Sequence, residues 1–280
     1  MSGKTKCTSG SYVGPERPIR QYDMWHDGRL AFPNDLIRGS LFAVSKRTEL
    51  EREIATQDGL TIRYKGVPLD QSHLDIFAAV TYLARGLHAD ATVQTSRYEL
   101  LGIMGWKSNE AGAKGFDWIW RRLSDLVAGT IMVEQHRRKI ATGSLLSAIA
   151  IDEGTDRISV TFNPLVRPLF DFATHLRPSE RHRLSSPLDK WLLAFLCSNT
   201  WTFPMHIETY RELSGSTALP KEFTRQIKAS LARLKRHRFI DSWEISRTLV
   251  KIEREPTRAQ IRHFIRGSHS KKKTSDECPF

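Results

Sequence analysis

Three features of this sequence predict an α+β fold in which two similar modules follow one another. Residues 217–236 have the apolar stripe of an amphipathic helix, and the alternating residues of 239–252 predict a β-hairpin directly after it. The stripe consists of Phe223, Ile227, Leu231 and Leu234. A helix with the same apolar spacing occurs earlier in the chain. Because a basic helix followed by a hairpin is typical of winged-helix modules, the sequence predicts two tandem winged-helix domains with flexible basic tails.

Matched residues in the two modules define the repeat. In the longer helices and just beyond them, four apolar residues recur 108 positions later in the chain. The pairs are Ile119 and Ile227, Leu123 and Leu231, Leu126 and Leu234, and Ile131 and Phe239. The shorter preceding helices pair Tyr98 with Tyr210, 112 positions apart, which predicts a turn four residues shorter in the second module. The alternative is coincidence, because any two amphipathic helices align on a few apolar positions.

Local signals place the elements of the first module. Asp70 or Ser72 is placed to cap a helix that Gly86 ends, and Thr95 or Ser96 is placed to cap a shorter one. The predicted elements are a strand at 60–64, helices at 74–84, 97–103 and 113–126, and strands at 131–135, 145–151 and 158–162.

Proline-containing pairs at 163–164 and 167–168 predict a seam between the modules. We interpret 165–172 as a short connecting helix and 178–183 as polar and irregular. In the second module, Ser185 or Ser186 precedes a helix at 187–197, which a short helix at 207–213 follows. The predicted domains are a flexible N-terminal tail at 1–24, a first winged-helix domain at 25–163, a second at 164–253 and a basic C-terminal tail at 254–280.

The charge of the chain indicates a polyanionic partner. The 280 residues carry a formal net charge of +12, which favours nucleic acid or an anionic membrane surface. No apolar run approaches the roughly 18–20 residues of a membrane span, so we expect nucleic acid and no membrane. The three cysteines lack a C-x-x-C spacing, which indicates neither a disulfide framework nor a zinc site and is consistent with a reducing cytoplasm.

The motifs of several enzyme classes are missing from the sequence. It contains no P-loop, no His-Glu-x-x-His and no pair of histidines flanking one apolar residue, as in the metal site of rolling-circle nicking enzymes. Asp152, Glu153 and Asp156 cluster at a predicted hairpin tip and are best explained as solvated turn residues. We therefore predict a protein that is not an enzyme, with no catalytic residues, metal or cofactor.

The DNA-binding candidates are basic and polar residues on the two longer helices and their connections. In the second module, Lys221, Arg225 and Lys228 are predicted to face base edges or phosphates, and Lys235, Arg236 and Arg238 to contact phosphates. In the first module, the counterparts are Lys107, Ser108, Asn109, Lys114 and Arg121, and Arg137, Arg138 and Lys139 are predicted to form a wing or loop. The alternative for each single residue is a merely solubilising charge. The predicted apolar stripe of the helix at 113–126 is Phe116, Ile119, Trp120, Leu123 and Leu126. Trp118 lies off this stripe and is predicted either to pack between domains or to contact DNA or a partner.

The first module also resembles a known family. Phe32-Pro-Asn-Asp-Leu-Ile-Arg-Gly-Ser-Leu-Phe-Ala-Val44, Ile62-Arg-Tyr-Lys-Gly66 and Tyr98-Glu-Leu-Leu-Gly102 resemble TrfA-type plasmid replication initiators, and the resemblance covers about 25–253. It implies a bacterial cytoplasmic, plasmid-associated protein that binds repeated sites (iterons) in double-stranded origin DNA. It also implies help in opening the adjacent AT-rich duplex, recruitment of the host replicative helicase with host initiator proteins, and a homodimer that interconverts with a monomer. One departure is that Pro168-Leu-Phe170 shares only the end of a Gln-Leu-x-Leu-Phe clamp-binding peptide.

Three other classes of function stay open from the sequence. A transcriptional repressor of a plasmid operon could use the same two domains, and it would not unwind a supercoiled origin. A nicking enzyme is disfavoured by the missing histidine pair, and covalent attachment to a cut strand would restore that alternative. An adaptor protein using its domains for protein contacts would leave no sequence-specific footprint on DNA.

Overall fold

The computed structural model describes residues 28–56, 60–88, 90–106, 115–135, 138–199 and 203–256, with backbone alone for Leu60, Gln135 and 138–142. The α-helices in these ranges are α1 (Asn34–Ile37), α2 (Gln71–Leu83), α3 (Arg97–Ile103), α4 (Phe116–Ala128), α5 (Pro178–His182), α6 (Pro187–Ser198), α7 (Ile207–Leu213) and α8 (Pro220–Arg236). A 3-10 helix spans Pro164–Asp171. The predicted N-terminal tail and the predicted C-terminal tail beyond residue 256 lie outside the described residues.

The described residues contain strands as well as helices, which confirms the mixed helix-and-sheet class. The strands pair antiparallel, as expected for an α+β fold, except for one two-residue parallel pair. The strands are β1 (Leu30–Pro33), β2 (Phe42–Ala43), β3 (Glu51–Ile54), β4 (Leu60–Lys65), β5 (Leu69–Asp70), β6 (Thr92–Thr95), β7 (Thr130–Gln135), β8 (Arg138–Gly143), β9 (Leu146–Asp152), β10 (Arg157–Phe162), β11 (Ala173–Leu176), β12 (Met205–His206), β13 (Ser242–Ser246) and β14 (Leu249–Glu253).

Two parts of the chain have the same order of elements. The first module runs α2, β6, α3, α4, β9, β10, and the second runs α6, β12, α7, α8, β13, β14. In each, the third strand lies in the middle of a three-stranded sheet, with orders β6-β10-β9 and β12-β14-β13. Apart from one insertion in the first module, the described elements of the two modules therefore follow the same order and topology.

One insertion breaks the repeat. In the first module the hairpin β7–β8 stands between α4 and β9, and it joins β3 and β4 in a four-stranded sheet. Ile131 consequently lies in β7 and is buried, whereas Phe239 lies in the turn before β13. The predicted pairing of these two residues is wrong, because they belong to non-equivalent elements.

The longer helices align as predicted. Ile119, Leu123 and Leu126 of α4 are at most 1 % exposed, and their partners 108 positions later on α8 are fully buried. Both helices also end 108 positions apart, at Ala128 and Arg236. The matched spacing therefore reflects two helices that face their own cores in the same way.

The shorter helices align at an offset of 110, so the predicted offset of 112 is wrong. Both α3 and α7 end in the same hydrogen bonds: Trp106 N–H donates to the carbonyl of Leu101, and Ser216 N–H donates to that of Arg211. Gly105 and Gly215 provide the left-handed residue of these C-terminal caps, with φ of +86° and +67°. Tyr98 is half exposed and Tyr210 is buried, so these two tyrosines are not equivalent. The second turn is two residues shorter, since the offset falls from 110 to 108.

A buried cluster of charges joins the two modules. Asp75 of α2 accepts from Arg181 Nε at 2.7 Å and from Lys190 Nζ of α6 at 2.6 Å. Arg181 also donates to Gln71 Oε1 at 3.1 Å, and its residue is only 2 % exposed. The prediction of an irregular polar segment at 178–183 is therefore wrong, because Arg181 of α5 is drawn inside by a carboxylate from the other module.

The N-terminal strand also crosses the predicted domain boundary. β1 pairs with β11 from Leu30 opposite Leu176 to Pro33 opposite Ala173. Trp191 of α6 donates its indole N–H to the Gly39 carbonyl at 3.3 Å, so the segment after β1 packs on the second module.

Of the helices in the described ranges, none combines the length and apolar character that crossing a bilayer requires.

Candidate nucleic-acid interface

Helix α8 has one face in the core of the second module. Its four stripe residues are fully buried, and Pro220 at its first position suits a helix N-terminus because proline lacks the N–H that has no partner there. Arg233 donates to both carboxylate oxygens of Asp189 on α6, at 2.6 and 2.8 Å. Asp189 is 1 % exposed, so this charge-assisted pair fixes the rotation of α8 on α6.

The opposite face of α8 is exposed and basic. Since a helix repeats every 3.6 residues, burial of the stripe turns the intervening positions outward. The predicted contact residues Lys221, Arg225, Lys228, Lys235 and Arg236 are all exposed, as is Ala232 between them. The structure thus brings these side chains onto one solvent-facing surface of a single helix.

Arg225 is paired within this surface. It donates to both oxygens of Glu222, with Nε to Oε2 at 3.0 Å and Nη2 to Oε1 at 2.6 Å. These hydrogen bonds hold the pKa of the Glu222 carboxyl below its ordinary value. Because 77 % of the Arg225 side chain is exposed, its guanidinium is oriented by Glu222 but remains accessible.

Arg238 begins the connection from α8 to the hairpin in an uncommon conformation. Its φ is +61°, a left-handed value that residues with a Cβ rarely adopt. The turn is held on both sides, because Arg238 N–H donates to the Lys235 carbonyl and Phe239 N–H to that of Leu234, each at 2.9 Å. The backbone at Arg238 is therefore held in one conformation, and its side chain is exposed to solvent.

A second basic residue with a left-handed backbone lies at the tip of the β13–β14 hairpin. Arg247 has φ +55° and is exposed in the two-residue connection that it forms with Thr248 between Ser246 and Leu249. The sequence shows an arginine in this turn, but only the closed hairpin identifies it as the outermost basic residue there.

A segment distant in sequence packs against the turn that precedes α8. Val44 N–H donates to the Ser214 carbonyl at 3.0 Å, and Arg47 Nε to the Gly215 carbonyl at 3.2 Å. Thr217 N–H donates to Ser45 Oγ at 3.2 Å. Lys46, in the middle of this segment, is exposed. Sequence reasoning missed Lys46, because about 170 residues separate the two segments.

In the first module, α4 presents Asp117, Trp120 and Arg121 to solvent. The prediction that Trp120 belongs to the apolar stripe is wrong, since its side chain is 49 % exposed. A hydrogen bond fixes α4 on α2, because His73 of α2 lies 3.0 Å from Asp125 of α4 through Nε2. Of the other predicted contacts, Lys107, Ser108, Asn109, Lys114 and Arg137 lie outside the described residues, and Arg138 and Lys139 are described only as backbone of β8.

Trp118 packs toward the second module. Its ring lies 5.8 Å from that of Trp106, which in turn lies 6.3 Å from the His182 ring of α5. Of the two alternatives for Trp118, this geometry favours packing between modules.

Two members of the acidic cluster at the β9–β10 turn hold backbone groups, since Asp152 bonds within the turn and Asp156 Oδ1 accepts from the Arg97 N–H of α3 at 3.1 Å. Asp152 Oδ1 accepts from the backbone N–H groups of Gly154 and Thr155 at 3.0 and 3.3 Å. Among the described residues, no group of three or more His, Cys, Asp or Glu side chains is placed to hold a metal ion.

The segment Pro168-Leu-Phe170, which shares the end of a clamp-binding peptide, lies in the 3-10 helix. Its Leu169 and Phe170 are 3 and 7 % exposed, so these side chains are not presented to a sliding clamp.

Comparisons with solved structures give distant similarities. The chain is similar to a crystal structure of domains 2 and 3 of RctB, at 11 % identity and a TM-score of 0.51, covering 80 % of this chain and 99 % of that one. It is also similar to a crystal structure of the Pi initiator protein in complex with iteron DNA, at 12 % identity and a TM-score of 0.47, covering 64 % and 89 %. The first similarity shows the fold alone, and the second is too weak to carry an argument. No curated protein matches the sequence significantly.

The sequence itself gives the decisive match. The family model described as TrfA protein matches residues 18–254, which include both modules and the whole of α8. The resemblance seen in the first module therefore extends through the second. The chain belongs to the TrfA protein family.

Proposed function

We propose that this plasmid replication initiator of the TrfA family binds repeated origin sites through two tandem winged-helix domains. The proposal rests on the repeated order of helix, strand, two helices and hairpin, in which α4 and α8 occupy the position of the recognition helix. Each would enter the major groove of one stretch of duplex. Membership of the family supports the further proposals that the protein helps open AT-rich DNA, brings in the host helicase and interconverts between dimer and monomer.

The observation that carries the proposal is the two-sided character of α8. One face is fully buried and the other presents five exposed cations along 17 residues. The major groove is about 12 Å wide and admits one helix, so cations on the outer face reach both base edges and flanking phosphates. Arg225, held by Glu222 but exposed, is placed to pair with guanine.

Residues around α8 extend this surface. Arg238 and Arg247 lie at the two ends of the hairpin, and Lys46 lies beside the turn that precedes α8. We assign them to phosphates, which position the protein without reading sequence. The protein acts in this proposal by binding alone, without catalysis.

The test is a double variant with a charge-matched control. Arg225→Ala/Lys228→Ala should weaken binding to the origin of the replicon that encodes the chain by about 100-fold, because two groove contacts are lost at roughly 1–3 kcal/mol each. Arg63→Ala/Lys65→Ala removes the same charge from the exposed side of β4 and should change affinity less than about fivefold. Fluorescence anisotropy and footprinting measure binding, and circular dichroism checks the fold. Equal losses of DNA affinity in the two variants would mean that α8 contributes only non-specific electrostatic attraction.

Salt dependence gives an independent check. If six or more phosphates are contacted, affinity should fall by about 10³ between 50 and 200 mM salt. A flat response would contradict DNA binding through this basic surface.

A further inference from the structure

The two proposed recognition helices, α4 and α8, carry chemically different side chains at equivalent exposed positions. With the 108-residue offset that superposes their buried stripes, Arg225 of α8 corresponds to Asp117 of α4, and Lys228 corresponds to Trp120. All four residues are exposed. The position that Lys228 occupies at the centre of the basic face of α8 is therefore occupied by the aromatic ring of Trp120 on α4.

The exposure of Trp120 is specific to its place on α4. Trp191 is 1 % exposed in the core, and Trp118 packs on Trp106 on another side of the same helix. Trp120 has Arg121 as its exposed neighbour and is 49 % exposed. It sits on a helix whose rotation is fixed by buried residues and by the His73–Asp125 hydrogen bond. The ring is therefore held outward by the fold.

From this placement we propose that Trp120 is a specificity-determining residue that contacts thymine in the major groove. The inference rests on the proposed function, because it takes α4 as a recognition helix. Among base edges in the major groove, the C5-methyl of thymine is the apolar feature, and apolar side chains recognise it. An indole carries no charge for phosphates and has a single N–H donor, so most of its exposed surface offers an apolar contact of this kind. The first module thus adds an apolar base contact to the charged contacts that the second module makes.

The experiment compares thymine with deoxyuridine, which lacks only the methyl group. The probe is a duplex spanning the wild-type footprint on the origin of the replicon that encodes the chain, with its thymines replaced one at a time. We expect at least one replacement to weaken wild-type binding about threefold or more. Trp120→Ala should bind the normal duplex about tenfold more weakly and lose sensitivity to that replacement, whereas Trp120→Phe should retain it.

Controls separate this contact from the other roles of an exposed ring. Phe172→Ala removes another exposed aromatic side chain, 75 % exposed after the 3-10 helix, and should leave both affinity and deoxyuridine sensitivity unchanged. Unchanged affinity of Trp120→Ala would overturn the assignment, as would a loss of affinity with the deoxyuridine response intact. An effect on helicase recruitment without one on DNA binding would assign the ring to a protein partner and also overturn it. A wild-type protein without any footprint would refute the proposed function itself, and this inference with it.

Discussion

Replacing Asp75 by Asn should destabilise the protein by about 3–5 kcal/mol, the usual cost of removing one partner from a buried ion pair. The carboxylate accepts from Arg181 Nε at 2.7 Å and from Lys190 Nζ at 2.6 Å. Asn keeps the volume, but its amide NH₂ group must then face one of these two donors. Arg181 retains its hydrogen bonds to Gln71 and to the Lys190 carbonyl, which keeps the loss within that range. For a chain of this size the shift in Tm is roughly 6–20 °C downward.

The matched control is Glu51→Gln, which also removes one carboxylate from an ion pair. Glu51 lies 3.6 Å from Lys65, and both side chains are more than 70 % exposed, so this pair contributes about 0–1 kcal/mol. Urea unfolding at pH 7, followed by circular dichroism, gives the free energy of unfolding of each variant. If Asp75→Asn came within 1 kcal/mol of Glu51→Gln, the claim that this cluster fastens the two modules together would be refuted.

Three further outcomes follow from single side chains. Arg238→Gly should raise the free energy of unfolding by about 0.5–1 kcal/mol, because glycine adopts φ +61° without strain, and yet weaken DNA binding through loss of the guanidinium; a variant less stable than the parent would contradict the first half. Burial acts to raise the pKa of Asp75, but Arg181 and Lys190 outweigh it and hold that pKa below its ordinary value. The stability that Asp75 contributes should therefore be complete above about pH 4 and decline as the pH falls further, and unfolding of Asp75→Asn should show a flatter acid branch than the parent. Lys46→Ala should lower the slope of log affinity against log salt by about 0.9, and an unchanged slope would exclude Lys46 from the phosphate contacts.

Much of the fold could be predicted from local patterns. The spacing of Ile227, Leu231 and Leu234 determines which side of α8 is buried, because burial follows the helical period. The sequence predicted Thr95 or Ser96 as the cap of α3, and in the structure it is the Ser96 side chain that accepts from the Glu99 N–H three residues on. The basic face of α8 was predicted on the same grounds, and its role in binding DNA stays a prediction.

What the sequence did not reveal depends on contacts between distant residues. Arg181 reads as a surface charge until Asp75, 106 residues away, is seen to pair with it. Trp120 follows a stripe residue directly and is apolar, so residue type assigned it to the core, although one step along a helix rotates a side chain by about 100°. The pairing of Tyr98 with Tyr210 followed residue identity, whereas the caps at Gly105 and Gly215 set the true register.

The buried charge cluster has a mechanical consequence for the duplex. Asp75, Arg181 and Lys190 hold α2 against α6, and each of these helices contacts the proposed recognition helix of its own module. The two proposed recognition helices, α4 and α8, are therefore held at a fixed separation and orientation. The free energy needed to break the ion-pair cluster between α2 and α6 is about as large as the ~1–6 kcal/mol needed to bend a short stretch of DNA smoothly. If both helices bind DNA as proposed, we expect a site that does not match this fixed geometry to deform at its flexible base-pair steps. Affinity should then depend on the spacing between the two contacted half-sites.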